Sequence, residues 1–133
     1  HTQLTSGPAQ GIYTTEIDAQ AYESMVQEIR DTQEGRRRVL ILGNLPFGYL
    51  CSDLPVASPM VSQVPVNSSY LYDYLAEDLE RRPDWIYVPN PLYGYGNGDN
   101  ALSVKEVQWI AGSELEMQES VYSTVYIVAE KKE

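Results

Sequence analysis

Two apolar segments of this chain, Val39–Gly43 and Trp85–Val88, are each followed by amide and aromatic side chains that suit ligand binding. These side chains are Asn44, Phe47, Tyr49, Asn90, Tyr93 and Tyr95. Aromatic rings stack on sugar rings or pack against another protein domain, and amide groups both donate and accept hydrogen bonds. We therefore predict a ligand-binding group, with the alternative that the aromatic rings only hold loops against the core.

The two segments must be neighbouring strands for this prediction to hold. Both are continuous apolar runs, which are typical of strands covered on both faces, as in parallel sheets. The carboxyl ends of parallel strands meet at one edge, and open α/β sheets bind ligands at that edge. The loop 90–100, rich in Gly, Asn and Tyr, would lie there.

The run Asn44-Leu45-Pro46-Phe47 resembles the Asn-Leu-Pro-Tyr/Phe motif of adenine and rRNA amino-methyltransferases. In that family the Asn and Pro hold the target amino group and the aromatic ring stacks on the flipped base. The family binds its methyl donor at a Gly-rich turn upstream, whereas the residues before Asn44 contain no Gly-x-Gly pattern. We therefore do not assign methyl transfer to this chain.

Other residue types that carry out catalysis or bind metals form no recognisable pattern. Cys51 is the only cysteine and His1 is the only histidine, at the start of the chain. We expect Cys51 to be structural and to form no disulfide. Asp99 lacks the repeated spacing of a calcium loop, and the acidic groups 77–80 and 114–119 are interpreted as exposed helix faces. The prediction is no catalytic residue, no metal and no cofactor.

The overall charge argues against two classes of partner. The chain has 133 residues, with 9 Lys and Arg against 19 Asp and Glu, and a formal charge of −10. Such a field repels nucleic acid and anionic lipid headgroups. We interpret the basic run Arg36–Arg38 as a solvated linker before a strand. No stretch approaches the roughly 20 apolar residues that cross a bilayer.

Hydrophobic periodicity predicts strands alternating with helices along one domain, 1–133. A helix begins after Thr15, which forms a weak capping box with Asp18. Two more helices begin near Asn67 and Ser103, and the last strand is expected within 120–129. We predict a small three-layer, Rossmann-like α/β sheet, mostly parallel, with an antiparallel C-terminal edge strand. Residues 1–10 are expected to be a flexible lead-in and 130–133 a charged tail.

The order of these motifs resembles the soluble C-terminal domain of multi-pass bacterial membrane proteins of the GT-C glycosyltransferase type. The resemblance covers most of the chain and consists of strands and turns rather than a catalytic signature. It is carried by Gly7–Thr15, Val39–Asn44, Tyr49–Pro59, Pro83–Val88 and Tyr122–Tyr126. The start at His1 without Met also leads us to expect a piece of a longer protein.

The resemblance implies an accessory domain on the extracytoplasmic face of the bacterial membrane. Family catalysis uses acidic residues in loops of the membrane part, so no catalytic residue transfers to this chain. The implied partners are the protein's own membrane domain and a saccharide, held as acceptor glycan or lipid-linked sugar. Two alternatives remain open: a free-standing Rossmann-like binding or enzyme domain for a nucleotide or similar small ligand, and a protein-interaction module.

Overall fold

The computed structural model describes residues 1–42, 46–58, 68–90, 104–112 and 114–128. Its strands are β1 (Thr2–Gln3), β2 (Tyr13–Thr14), β3 (Val39–Ile41), β4 (Trp85–Pro89), β5 (Leu115–Glu119) and β6 (Ser123–Val128). Its helices are α1 (Glu16–Thr32), α2 (Pro46–Cys51), α3 (Ser68–Glu77) and α4 (Val104–Ala111), with a 3-10 turn at Leu79–Arg81. The side chains of residues 46, 47, 68, 69 and 104–107 are outside this description.

The main sheet contradicts the prediction of a mostly parallel, Rossmann-like fold. Among the described residues it has four strands in the order β3-β4-β6-β5. Only β3 and β4 are parallel, whereas β6 runs antiparallel to both β4 and β5. The C-terminal strand β6 is therefore an interior strand rather than an edge. The fold is a mixed α/β sheet, accompanied by a two-stranded antiparallel sheet of β1 and β2.

We expected β6 at the edge because the true edge strand, β5, is not recognisable from its sequence. Its sequence Leu-Glu-Met-Gln-Glu is polar, and all of its residues except Leu115 are exposed. An edge strand open to water lacks the apolar alternation by which strands are recognised. Glu116 and Glu119, which we interpreted as an exposed helix face, lie on this strand.

Alternate residues of β3 and β4 point to opposite faces of the sheet, and helices cover both faces. On one face, Val39, Ile41, Trp85 and Tyr87 pack with residues of α1 and α2. On the other, Leu40 and Ile86 pack with residues of α3 and α4. Trp85, Ile86 and Tyr87 are fully buried. This two-sided burial explains why both strands read as continuous apolar runs.

The parallel pair defines two ends of the sheet. Val39 pairs with Trp85 and Ile41 pairs with Tyr87, so β3 and β4 begin at one end and finish at the other. We call these the amino end and the carboxyl end. Val128 donates from its backbone N–H to Asp84 at the amino end, while Ser123 pairs with Pro89 at the carboxyl end.

Helix α1 begins as predicted. The Thr15 hydroxyl accepts from the Asp18 N–H at 3.1 Å, which satisfies one of the free N–H groups of the first turn. Met25, Val26 and Ile29 form its buried stripe. Ile17, in the first turn of α1, is exposed.

The segment before α1 contacts that helix. Leu4 is buried, and Thr5 donates to Glu23 Oε1 from its N–H and hydroxyl at 2.7 and 2.6 Å. These bonds lower the pKa of Glu23. The Ala9 N–H donates to the Tyr22 hydroxyl at 2.8 Å. Residues 1–10 thus have defined contacts, while their predicted flexibility stays a prediction.

Candidate functional site

The predicted ligand-binding group lies only partly within the described residues. Asn44, Tyr93 and Tyr95 are outside them, and Phe47 belongs to α2 with an undescribed side chain. Tyr49 and Asn90 can be placed. The Leu42 N–H donates to the Tyr87 carbonyl at 3.0 Å, so the chain leaves β3 beside the end of β4. The proposed convergence of the whole group stays a prediction.

Tyr49 protects the outer edge of β3. Its hydroxyl accepts from the Ile41 N–H at 2.9 Å and donates to the Ile41 carbonyl at 3.1 Å. One hydroxyl thereby satisfies the two backbone groups that a further strand would otherwise pair. Burial raises the pKa of Tyr49 to about 12, and the bond to Ile41 only partly offsets this. The Tyr49 hydroxyl is therefore held neutral and faces the backbone.

Asn90 connects the end of β4 to the turn between β5 and β6. Its backbone N–H donates to the Tyr122 carbonyl at 2.7 Å. Its side-chain Nδ2 donates to the Val121 carbonyl at 3.4 Å, a long hydrogen bond. Asn90 remains partly exposed, so contact with a ligand is compatible with its position.

A hydrogen-bond network beside this turn was not predicted from the sequence. Oε2 of Glu28, on α1, accepts from the Tyr87 hydroxyl at 2.9 Å and from the Ser123 hydroxyl at 2.7 Å. Ser123 is 3% exposed and Tyr87 is fully buried. Burial is the main cause that raises the pKa of Tyr87. Glu28 is far from both partners in sequence, and only its position on the sheet-facing side of α1 could have suggested the contact.

This network resembles the hydroxyl–carboxylate pairs of catalytic sites, but its buried hydroxyls cannot be reached by a substrate. A nucleophilic hydroxyl must reach a substrate, whereas Ser123 is buried and its hydroxyl is bonded to Glu28 of α1. Cys51 is also buried, and burial raises the pKa of its thiol, although Arg30 opposes the shift. Burial raises the pKa of Tyr22 as well. The hydroxyls of Tyr22, Tyr49 and Tyr87 and the thiol of Cys51 are thus held in their protonated forms at neutral pH.

The amino end of the sheet carries most of the chain's arginines. Arg36–Arg38 precede β3, while Arg81 and Arg82 precede β4. An open cleft of about 680 Å³ lies there, lined in part by Arg37, Arg38 and Arg82. The run 36–38, interpreted as a linker, therefore borders a concave surface. The sequence could not show this, because the second pair of arginines joins only through the pairing of β3 with β4.

Within the described ranges, no group of three or more His, Cys, Asp and Glu could hold a metal ion. The described helices also include none with the length and apolar character needed to cross a bilayer. No protein-family model matches the chain, and neither does any curated protein or solved structure. The functional argument therefore rests on the sequence resemblance and on the geometry.

Proposed function

We propose that this chain is a non-catalytic accessory domain of a membrane protein of the GT-C glycosyltransferase type. In this proposal the domain lies on the extracytoplasmic face of a bacterial membrane, packs against its own membrane part and helps to hold a glycan. The chemistry belongs to the membrane part. The proposal starts from the sequence resemblance and is supported by the state of the buried reactive groups.

The observation that carries this proposal is that three buried hydroxyls form hydrogen bonds within the fold. The Tyr49 hydroxyl bonds the backbone of β3, and the hydroxyls of Tyr87 and Ser123 bond Glu28. Catalytic nucleophiles and bases normally have a pKa shifted towards the working pH. Here the pKa values of Tyr49 and Tyr87 are shifted away from it. This supports a domain that binds or packs rather than one that reacts.

Packing against another domain is supported by apolar side chains that are close in sequence and exposed. Ile12 and Tyr13 on the β1–β2 hairpin are 58% and 63% exposed, and Ile17 in the first turn of α1 is 76% exposed. Contiguous exposed apolar patches mark interaction surfaces. The same observation supports the alternative of a protein-interaction module.

The glycan-binding part is tested by ligand-detected NMR on the chain with neutral oligosaccharides, nucleotides and S-adenosylmethionine. We expect oligosaccharide binding that Tyr93→Ala or Tyr95→Ala abolishes, because exposed aromatic rings stack on sugars. Tyr70→Ala is the matched control, since Tyr70 is an exposed tyrosine on α3. Binding of a nucleotide or of the methyl donor, without saccharide binding, would contradict the proposal.

The membrane assignment is tested independently on the parent gene. We expect the open reading frame that contains these residues to encode several membrane-spanning segments of about 20 apolar residues. A reporter fused after residue 133 of the full-length protein should then be active only on the outer side of the membrane. An open reading frame without such segments, or a reporter active in the cytoplasm, would overturn the assignment.

A further inference from the structure

We propose that the cleft at the amino end of the sheet is a binding site for a small oxyanion, a phosphoryl or carboxylate group carried by a small molecule. This site lies at the opposite end of the sheet from the predicted saccharide group. It does not depend on the proposed accessory function. We call it the arginine cleft and define it by Arg37, Arg38 and Arg82, with Asp84 and Gly112 in its wall.

The arginines in the cleft are not neutralised by the nearby acid. Asp84 accepts from the Arg37 N–H with both oxygens, at 3.0 and 2.9 Å, and from the Arg38 N–H at 2.9 Å. Its carboxylate thus holds the backbone of residues 37 and 38 in place. The Arg37 Nε is 3.8 Å from Asp84 Oδ2, with the Arg37 side chain 90% exposed. Such an exposed pair is weak, so this guanidinium remains able to bind a ligand.

Arg82 is fixed in position. Its Nη1 donates to the Trp109 carbonyl near the end of α4, and its guanidinium carbon lies 5.0 Å from the centre of the Trp109 ring. Gly112, at φ +71°, lets the arginine lie against the chain, because a Cβ there would come within 2.6 Å of Nη1. Within the part of the chain that the structure describes, the buried Arg82 Nε has no hydrogen-bond partner. A preorganised arginine loses less entropy on binding a ligand.

Arg81 provides an internal contrast. Its Nη1 donates to Glu77 Oε2 and to the Tyr74 carbonyl, both at 3.0 Å, and its guanidinium lies 4.3 Å from the centre of the Tyr74 ring. This arginine is fully engaged and does not line the cleft. The neighbouring Arg82 and the pair Arg37 and Arg38 differ from it in facing a concave surface.

The class of ligand, a small molecule with a phosphoryl or carboxylate group, is inferred from the hydrogen-bond donors and the size of the cleft. Guanidinium groups bind carboxylate and phosphate through two parallel N–H bonds, and a volume of about 680 Å³ is typical of small-molecule sites. The formal charge of −10 acts against an anion over long range. At physiological ionic strength, however, charges beyond about 8 Å are largely screened. The three arginines against Glu80 and Asp84 leave the lining positive.

Isothermal titration of the chain with pyrophosphate and with citrate at low salt tests the site, with glucose as the neutral probe. We expect one or both anions to bind with a Kd of about 1 mM or tighter, and to bind more weakly as KCl is added. Arg37→Gln and Arg38→Gln should each weaken binding about tenfold, since each removes a charged hydrogen-bond donor. Stronger binding of pyrophosphate would assign a phosphoryl ligand, and stronger binding of citrate a carboxylate.

Arg30→Gln is the matched control, because Arg30 is exposed on α1 and does not line the cleft. It should change the Kd less than about twofold while altering the net charge equally. Two results would overturn the proposal. One is the absence of binding of both anions at millimolar concentration. The other is an equal loss of affinity in Arg30→Gln and Arg37→Gln, which would indicate only a nonspecific charge effect.

Discussion

The two ends of the sheet use polar side chains in opposite ways. At the carboxyl end, Tyr49, Glu28, Tyr87 and Ser123 satisfy one another or the backbone. At the amino end, the Arg37 side chain is 90% exposed and lines a cleft together with Arg38 and Arg82. Polar groups buried with complete hydrogen bonding stabilise a fold, whereas donors left facing a cleft are available to a ligand. We therefore expect the hydroxyl network at the carboxyl end to stabilise the fold and the arginine cleft at the amino end to bind an anionic ligand.

The strongest test of the carboxyl end is its response to alkaline pH. An unfolded tyrosine ionises near pH 10, whereas burial raises the pKa of Tyr49 to about 12 and raises that of Tyr87 in the same direction. Because the folded state keeps these protons, the stabilisation is present below pH 10 and is lost as pH rises towards 12. Tyr49 alone accounts for about 3 kcal/mol of this loss, because each unit of pKa shift corresponds to about 1.4 kcal/mol. Urea denaturation at pH 9 to 12 measures this loss of stability. In Tyr49→Phe the free energy of unfolding should fall less steeply as pH rises. If the free energy of unfolding fell equally steeply with pH in Tyr49→Phe and in the unsubstituted chain, the stabilising role of the Tyr49 hydroxyl would be contradicted.

Removing the shared acceptor should have the next largest effect. Glu28→Ala leaves the Tyr87 and Ser123 hydroxyls without an acceptor, and we expect a loss of about 2–3 kcal/mol in the free energy of unfolding. Urea denaturation at pH 7 measures this loss. Glu28→Gln keeps an acceptor oxygen and should lose less than half as much, and the exposed Glu34→Ala should lose about 0.5 kcal/mol or less. If Glu28→Ala were as stable as Glu34→Ala, the network would not contribute to stability.

Tyr49→Phe should destabilise the domain by about 1–2 kcal/mol at neutral pH. The substitution keeps the ring but leaves the Ile41 N–H and carbonyl unpaired at the edge of β3. Thermal unfolding followed by circular dichroism gives the difference. Tyr70→Phe removes an exposed hydroxyl and should be nearly neutral. Equal stability of the two variants would show that the hydroxyl of Tyr49 is dispensable.

The arginine cleft should contribute least to stability. Arg37→Gln should change the free energy of unfolding by about 0.5 kcal/mol or less, because the side chain is 90% exposed and its ion pair is long. The same denaturation experiment measures this change. A loss above about 1.5 kcal/mol would give Arg37 a structural role and remove the contrast between the two ends.

The sequence allowed prediction of those elements whose patterns are local. The Thr15 cap, helix α1 and the buried strands β3 and β4 follow from side-chain chemistry and periodicity within a short window. The sheet topology does not. The polar edge strand β5 has no apolar pattern, and without it β6 looked like an edge.

The contacts of the candidate site residues also could not be predicted from local sequence patterns. Tyr49 was chosen as a ligand-binding residue for its place after a strand, but the direction of its hydroxyl towards Ile41 depends on how α2 packs against β3. Glu28 meets Ser123 across 95 positions of sequence. The arginines before β3 and those before β4 come together only through strand pairing. Each of these contacts is created by tertiary structure.

The central claim is that the arginine cleft at the amino end binds an oxyanion, whereas the hydroxyl network of Tyr49, Tyr87 and Ser123 at the carboxyl end supports the fold. The most direct test is an NMR titration of the isotopically labelled chain with pyrophosphate, following the backbone amides. We predict shifts confined to residues 36–38, 82, 84 and 112, with the amides of Ile41, Tyr87 and Ser123 unchanged. Shifts centred on Ile41, Tyr87 and Ser123, with none at the arginines, would contradict the claim.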